Sequence, residues 1–260
     1  QQVETLRNNI LGVRKKYGKD LKAKGNTERK VPAVVIGLID QATMRIGESS
    51  SEDVFGASSL PLDAITIKGD VAEFNYKGKK KITQKKKIED KSLIKALKEV
   101  MAFSKKNPCG EEKKGVPLAF CVKGKRKNRV VSGKEIRDYL EDISGIRETH
   151  RFRAMKASDM MDAAIKRGND YDDAIKEASI ELGHDWAVRG EKQPKTTTAE
   201  LSYIEPGIVM SYSKGRKANN SRYHKVKKII KSKKVKSRKD IIDYFRKHPK
   251  KKKAWEVFSG

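Results

Sequence analysis

The chain has 260 residues, 61 of them Lys or Arg and 34 Asp or Glu, for a formal charge of +27. Such a length buries a substantial core in one or two domains, and such a charge repels itself unless a polyanion partner neutralises it. A spanning helix is not expected, because no apolar run approaches the roughly 20 residues that one needs. P-loop nucleotide hydrolysis is excluded by the lack of a G-x-x-x-x-G-K-[ST] loop.

In chain order, residues 3–17 read as a basic helix. The run "VPAVVIGLIDQATMRIG" (31–47) places Val34, Val35, Leu38, Ile39, Ala42 and Ile46 in a helical apolar pattern. Pro32 suits its first turn. Over about 62–84, "LDAITIKGDVAEFNYKGKKKIT" alternates apolar and polar residues, with turn signals at Gly69-Asp70 and "KGKK". It predicts a small antiparallel sheet of three strands. From about 90 onward the pattern is helical: "KSLIKALKEVMAFS", a helix capped by Ser132 and Glu135 in S-x-x-E, and helices near 149–166 and 171–182. "VPLAFCV" (116–122) reads as a strand or a buried turn.

Residues 211–260 differ, holding 19 Lys and Arg against three Asp and Glu, a net charge of 19 − 3 = +16. They read as a basic C-terminal extension, with a short helix expected in "SRKDIIDYFRKH". The fold class is therefore α+β and mainly α-helical. A catalytic domain over 1–210 combines the small three-stranded sheet near its N-terminal side with a helical bundle over about 90–210.

The two cysteines, Cys109 and Cys121, form neither a C-x-x-C pair nor a zinc quartet. His150, His184, His224 and His248 show no H-E-x-x-H spacing, so no metal site and no cofactor are expected. Nucleic acid is the favoured partner over membrane, with binding that falls steeply with salt as counterions are released.

Five residues in order carry the chemistry. Arg45 in "QATMRIGE" is read at the end of the apolar helix, next to Gly47. Lys79 sits in the turn after the strand "FNYKGK". Arg153 in "THRFRAMKAS" lies three residues after His150, on the same helical face. His184 in "LGHDW" follows an apolar helix, and Tyr203 in "LSYIEPGIV" comes 19 residues later. Cleaving a phosphodiester by side-chain attack needs a nucleophile, cations around the transferring phosphate and a proton donor for the leaving oxygen. Arg forks match phosphate oxygens bidentately, a His donates to a non-bridging oxygen, and a Lys beside the leaving oxygen can act as general acid. Tyr ordinarily ionises near about 10, and neighbouring cations favour its phenolate.

With these motifs in place, the chain resembles the catalytic region of type IB DNA topoisomerases, over about residue 5 to at least 212. The matches are "MRIGE" for Arg45, "FNYKGK" for Lys79, "FRAMKAS" for Arg153, "ELGH" for His184 and "SYIEPGIV" for Tyr203. The resemblance implies an isomerase that relaxes supercoils without ATP or metal, through a 3′-phosphotyrosyl intermediate. It further implies double-stranded DNA as partner, a monomeric clamp, and a nuclear or nucleoid location. Lys80, Lys81, Lys85, Lys86, His150, Arg151 and Lys156 would contact the DNA backbone. His150 stands where many members have Lys, Ser202 stands where some have Asn before the nucleophile, and the connection from His184 to Tyr203 is short. The family's N-terminal clamp half is not recognisable, and the chain opens on Gln1, in keeping with a missing N-terminal part. Two rival readings are a site-specific tyrosine recombinase, favoured by H-x-x-R at His150–Arg153, and a non-catalytic basic DNA-binding protein.

Overall fold

The computed structural model describes residues 2–25, 27–47, 53–109, 115–124 and 127–184, together with 199, 203, 204 and 208. Its helices are α1 (Gln2–Asp20), α2 (Lys30–Ala42), α3 (Lys91–Lys106), α4 (Gly133–Ser144), α5 (His150–Lys166) and α6 (Tyr171–Glu181). Strands β1 (Ile65–Lys68), β2 (Val71–Lys77) and β3 (Thr83–Ile88) form an antiparallel sheet in that order, and β4 (Cys121–Val122) pairs with β5 (Arg129–Val130). The expected class, mainly helical with a small three-stranded sheet, is what the chain adopts. Two compact units result, Gln1–Arg153 and Ala154–Gly260, with the boundary inside α5. Among the described residues no helix is long and apolar enough to cross a membrane.

In the first unit α2 is the central element, every residue but Gln41 being buried. It packs against α1, α3, α4 and β3. A helix apolar nearly all round must be covered on all sides, so Asp40 stands out. Its buried carboxylate accepts hydrogen bonds from Arg14 Nε at 2.8 Å, Arg14 Nη2 at 2.9 Å and Tyr17 Oη at 2.8 Å. Three donors from α1 thus satisfy one carboxylate on α2 and fix the pairing of the two helices. The ammonium of Lys30, equally buried, donates to the Ala23 carbonyl at 2.8 Å and pairs with Glu99 of α3. Helix α4 begins at the expected capping box: Ser132 Oγ accepts from Glu135 N, and the Glu135 carboxylate accepts from Ser132 N.

The sheet follows from the alternation read in the sequence. Ala72, Phe74 and Tyr76 on β2 are buried while Glu73, Asn75 and Lys77 between and after them are exposed, and the register sets Phe74 opposite Ile65 and Lys86.

Two expectations change. The apolar run over 31–47 is not one helix: α2 stops at Ala42 because Thr43 adopts left-handed backbone, φ 52° and ψ 27°, so Ile46 and Arg45 lie beyond the helix. The two cysteines, read only as lacking a metal or redox motif, are joined in a disulfide between the segment after α3 and β4. In "VPLAFCV" the buried strand is β4, preceded by a bridge between Leu118 and Pro61. The helix expected in "SRKDIIDYFRKH" lies outside the described residues.

Candidate functional site

Arg45 sits in a strap without regular secondary structure, residues 43–47, that leaves the end of α2. The strap is clamped by a neighbouring turn. Ala57 N donates to the Arg45 carbonyl at 2.8 Å, Ser58 N to Ile46 O at 2.9 Å, and Ser58 Oγ to Ile46 O at 2.6 Å. The two backbones touch at Gly47 and Gly56. A Cβ on Gly56 would stand 2.5 Å from Gly47 Cα and 2.6 Å from the Arg45 carbonyl oxygen, and Gly47 itself has φ +96°. Main chain at that separation leaves no room for a side chain on either residue. Arg45 is therefore half-exposed on a segment whose backbone is fixed on both sides.

Lys79 opens a one-turn 3-10 segment, Lys79–Lys81, between β2 and β3. Gly78 N donates to Ile82 O at 2.8 Å, closing the turn, while Lys80 and Lys81 take positive φ. Lys79, Lys80 and Lys81 are exposed, with Lys81 Nζ donating to Asp53 at 2.7 Å. Along β3 the side chains alternate. Lys85 faces outward, whereas Lys86 turns inward and its Nζ donates to Thr43 Oγ1 at 2.9 Å.

Arg153 is 3 % exposed. Its Nη1 donates to the Thr43 carbonyl, at the end of α2. His150, one turn earlier on α5, is exposed, so the shared helical sector does not give the two residues the same environment. Desolvation and then Arg151 hold the His150 imidazole below its ordinary range, with Glu148 opposing. Arg151 is half-buried and Lys156 is exposed.

Tyr76 was not singled out by motif spacing, although its place two residues after Phe74 puts it on the same inward face of β2. Burial pushes its phenol up to about 12, against the opposing influence of Arg153 and Arg45. It is a neutral hydroxyl within electrostatic reach of both guanidinium groups. Thr43 is the other residue missed. A Thr after an apolar run gives no helix-stop signal comparable to Gly, and its role emerges only from what its carbonyl and hydroxyl touch.

In the second unit His184 follows the left-handed Gly183 just past α6, and its backbone N–H donates to Ser179 O at 3.0 Å. The side chain is 6 % exposed. Tyr203 lies in a turn whose N–H donates to Ala199 O at 2.9 Å, and it is 9 % exposed. The two rings meet with centroids 5.5 Å apart and planes inclined by 50°. Ser158, in the "AS" that follows Arg153, donates from Oγ to the Tyr203 carbonyl at 3.4 Å. So the first unit gathers Arg45 and Arg153 about Tyr76 and carries Lys79 on its hairpin, while the second brings His184 and Tyr203 together. Ser202 and most of the connection between His184 and Tyr203 lie outside the described residues. Among those residues no group of three His, Cys, Asp or Glu side chains is arranged to hold a metal ion.

The first unit thus offers two guanidinium groups and an exposed ammonium at a turn, and the second a buried phenol with an imidazole beside it. A family model described as eukaryotic DNA topoisomerase I, catalytic core, matches residues 1–205. No curated protein matches the chain. Among solved structures, the XerH site-specific recombinase bound to palindromic difH substrate in a post-cleavage complex is 17 % identical, with a TM-score of 0.44, covering 72 % of this chain and 49 % of that one. A pre-cleavage XerH–difH complex is 16 % identical, with a TM-score of 0.45, covering 72 % and 51 %. The chain thus spans about half the length of these solved structures.

Proposed function

The chain belongs to the eukaryotic DNA topoisomerase I catalytic-core family, and from that membership we propose that it relaxes supercoiled DNA by cutting and resealing one strand, without ATP. The observation that carries this reading is the extent of the family match. It runs to residue 205 and so takes in Arg45, Lys79, Arg153, His184 and Tyr203.

In the proposed reaction Tyr203 Oη attacks a backbone phosphorus and loses its proton to solvent. The bond from phosphorus to the 5′ oxygen breaks, and that oxygen takes a proton from Lys79 and leaves as a 5′-hydroxyl. A 3′-phosphotyrosyl ester remains. Arg45 and Arg153 supply bidentate donors to the non-bridging oxygens, and His184 supplies a third, where charge accumulates in the transition state. The ester preserves the energy of the broken bond, so the 5′-hydroxyl reverses the step after the free duplex end has rotated. Lys80, Lys81, Lys85, Lys86, His150, Arg151 and Lys156 would grip phosphates without reading sequence.

A denaturing gel tests the reading. The unmodified chain forms a covalent adduct on the 3′ side of a nick, and Tyr203→Phe loses both adduct and relaxation by at least about 10⁴-fold while still binding duplex. Survival of either activity in Tyr203→Phe would sink the proposal. The H-x-x-R spacing of His150 and Arg153 favours a second reading, site-specific recombination. Relaxation of any supercoiled plasmid supports the first, and strand exchange confined to defined paired sites supports the second.

A further inference from the structure

Thr43 is a β-branched residue in left-handed backbone, φ 52° and ψ 27°, at the C-terminal end of α2. β-Branched residues rarely occupy that region, and Gly would fill this capping position without strain. A residue retained against its own backbone preference invites a question about what its side chain does. Here the side chain is fully buried. Its hydroxyl donates to the Ala42 carbonyl at 2.7 Å and accepts from Lys86 Nζ at 2.9 Å, while the Thr43 carbonyl accepts from Arg153 Nη1. One residue therefore holds an ammonium from β3 and a guanidinium from α5, at the helix end where backbone carbonyls favour cations. Arg45 follows two residues later on the clamped strap.

We propose that Thr43 is a positioning residue for DNA cleavage: its hydroxyl fixes Lys86 and its carbonyl fixes Arg153, so that both cations are set beside Arg45 before DNA binds. The proposal rests on the catalytic reading above and adds a residue that touches neither the nucleophile nor the scissile phosphate. Preorganised charge requires no rearrangement when the transition state forms, so the effect of Thr43 falls on the cleavage step rather than on duplex affinity.

The experiment uses Thr43→Gly, which keeps the left-handed backbone and the carbonyl but removes the hydroxyl, and Thr43→Ser, which keeps the hydroxyl. Single-turnover cleavage of a nicked suicide duplex is followed at saturating DNA, alongside duplex Kd and Tm. Thr43→Gly is expected to cleave about tenfold more slowly with Kd within about twofold of the unmodified chain and no fall in Tm, and Thr43→Ser to recover the unmodified rate within about twofold. Lys86→Met combined with Thr43→Gly should lose no more than the worse single variant, because both remove the same contact. Full-rate cleavage by Thr43→Gly, additive losses in the double variant, or a shared fall in rate and Tm that Thr43→Ser does not restore would each overturn the proposal while leaving the catalytic reading intact. If the unmodified chain forms no covalent adduct, the catalytic reading fails and this proposal falls with it.

Discussion

Arg45 rides on a hydrogen-bonded strap and Arg153 is tied to a main-chain carbonyl, whereas Tyr203 and His184 meet ring to ring beside a turn. The strap carrying Arg45 is hydrogen-bonded at successive carbonyls and pressed against Gly56, and Arg153 is tied to the carbonyl that ends α2. Tyr203, by contrast, has a backbone N–H bonded to Ala199 and a ring leaning on His184 at 5.5 Å between centroids. A strap bonded at successive carbonyls cannot shift without breaking those hydrogen bonds. In the proposed reaction the phosphate-binding half is thus a template tied down through main chain, and the nucleophilic half is joined through a ring contact and a turn.

The largest test of that contrast is Arg153→Lys. Charge is kept, but one ammonium cannot hold the Thr43 carbonyl and also present a fork to phosphate. Cleavage should fall on the order of 10²–10³-fold with Tm nearly unchanged, measured by single-turnover kinetics and thermal melting. A loss smaller than that of His184→Gln would erase the distinction between the halves.

Gly56→Ala asks how far the template depends on backbone contact. The added methyl meets Gly47 Cα and the Arg45 carbonyl at 2.5 and 2.6 Å, atoms that cannot swing aside as a side chain would. Stability should drop by about 1–3 kcal/mol, read as a lower urea midpoint, and cleavage should fall with it. An unchanged midpoint would show that the strap yields freely.

The smallest effect is a pH signature of the first unit. Burial would raise the Glu135 carboxyl, but Arg129 and the Ser132 donors outweigh it and bring it down to about 2 from 4.5. A carboxylate depressed on folding contributes stability that is present above 4.5 and lost as pH falls toward 2. For this partly exposed group the loss is on the order of 1 kcal/mol after solvent screening. Glu135→Gln should flatten that part of the urea midpoint against pH, and an unaltered slope would mean the pair contributes nothing.

Much of this was legible from residue patterns. The sheet was readable because β2 alternates strictly and Gly69-Asp70 marks its hairpin, and α4 because Ser132 and Glu135 sit at capping-box spacing. Arg45 was misplaced onto a helix for a physical reason. Met44 and Ile46 continue the apolar run past Ala42, and the left-handed turn falls on Thr43, a residue that does not advertise a helix end. The order of Arg45, Lys79, Arg153, His184 and Tyr203 could be read, but Tyr76 and Thr43 could not, because their part depends on contacts between segments distant in sequence. The same holds for the cysteines, whose pairing is set by the approach of β4 to the end of α3.

That pairing has a consequence for handling the protein. With Cys109 and Cys121 covalently joined, a single protease cut between them leaves one molecule with a broken backbone instead of two fragments. A clipped sample would run at full length on a denaturing gel until reductant is added and only then resolve into two bands. An intact band without reductant is thus no evidence of an intact chain.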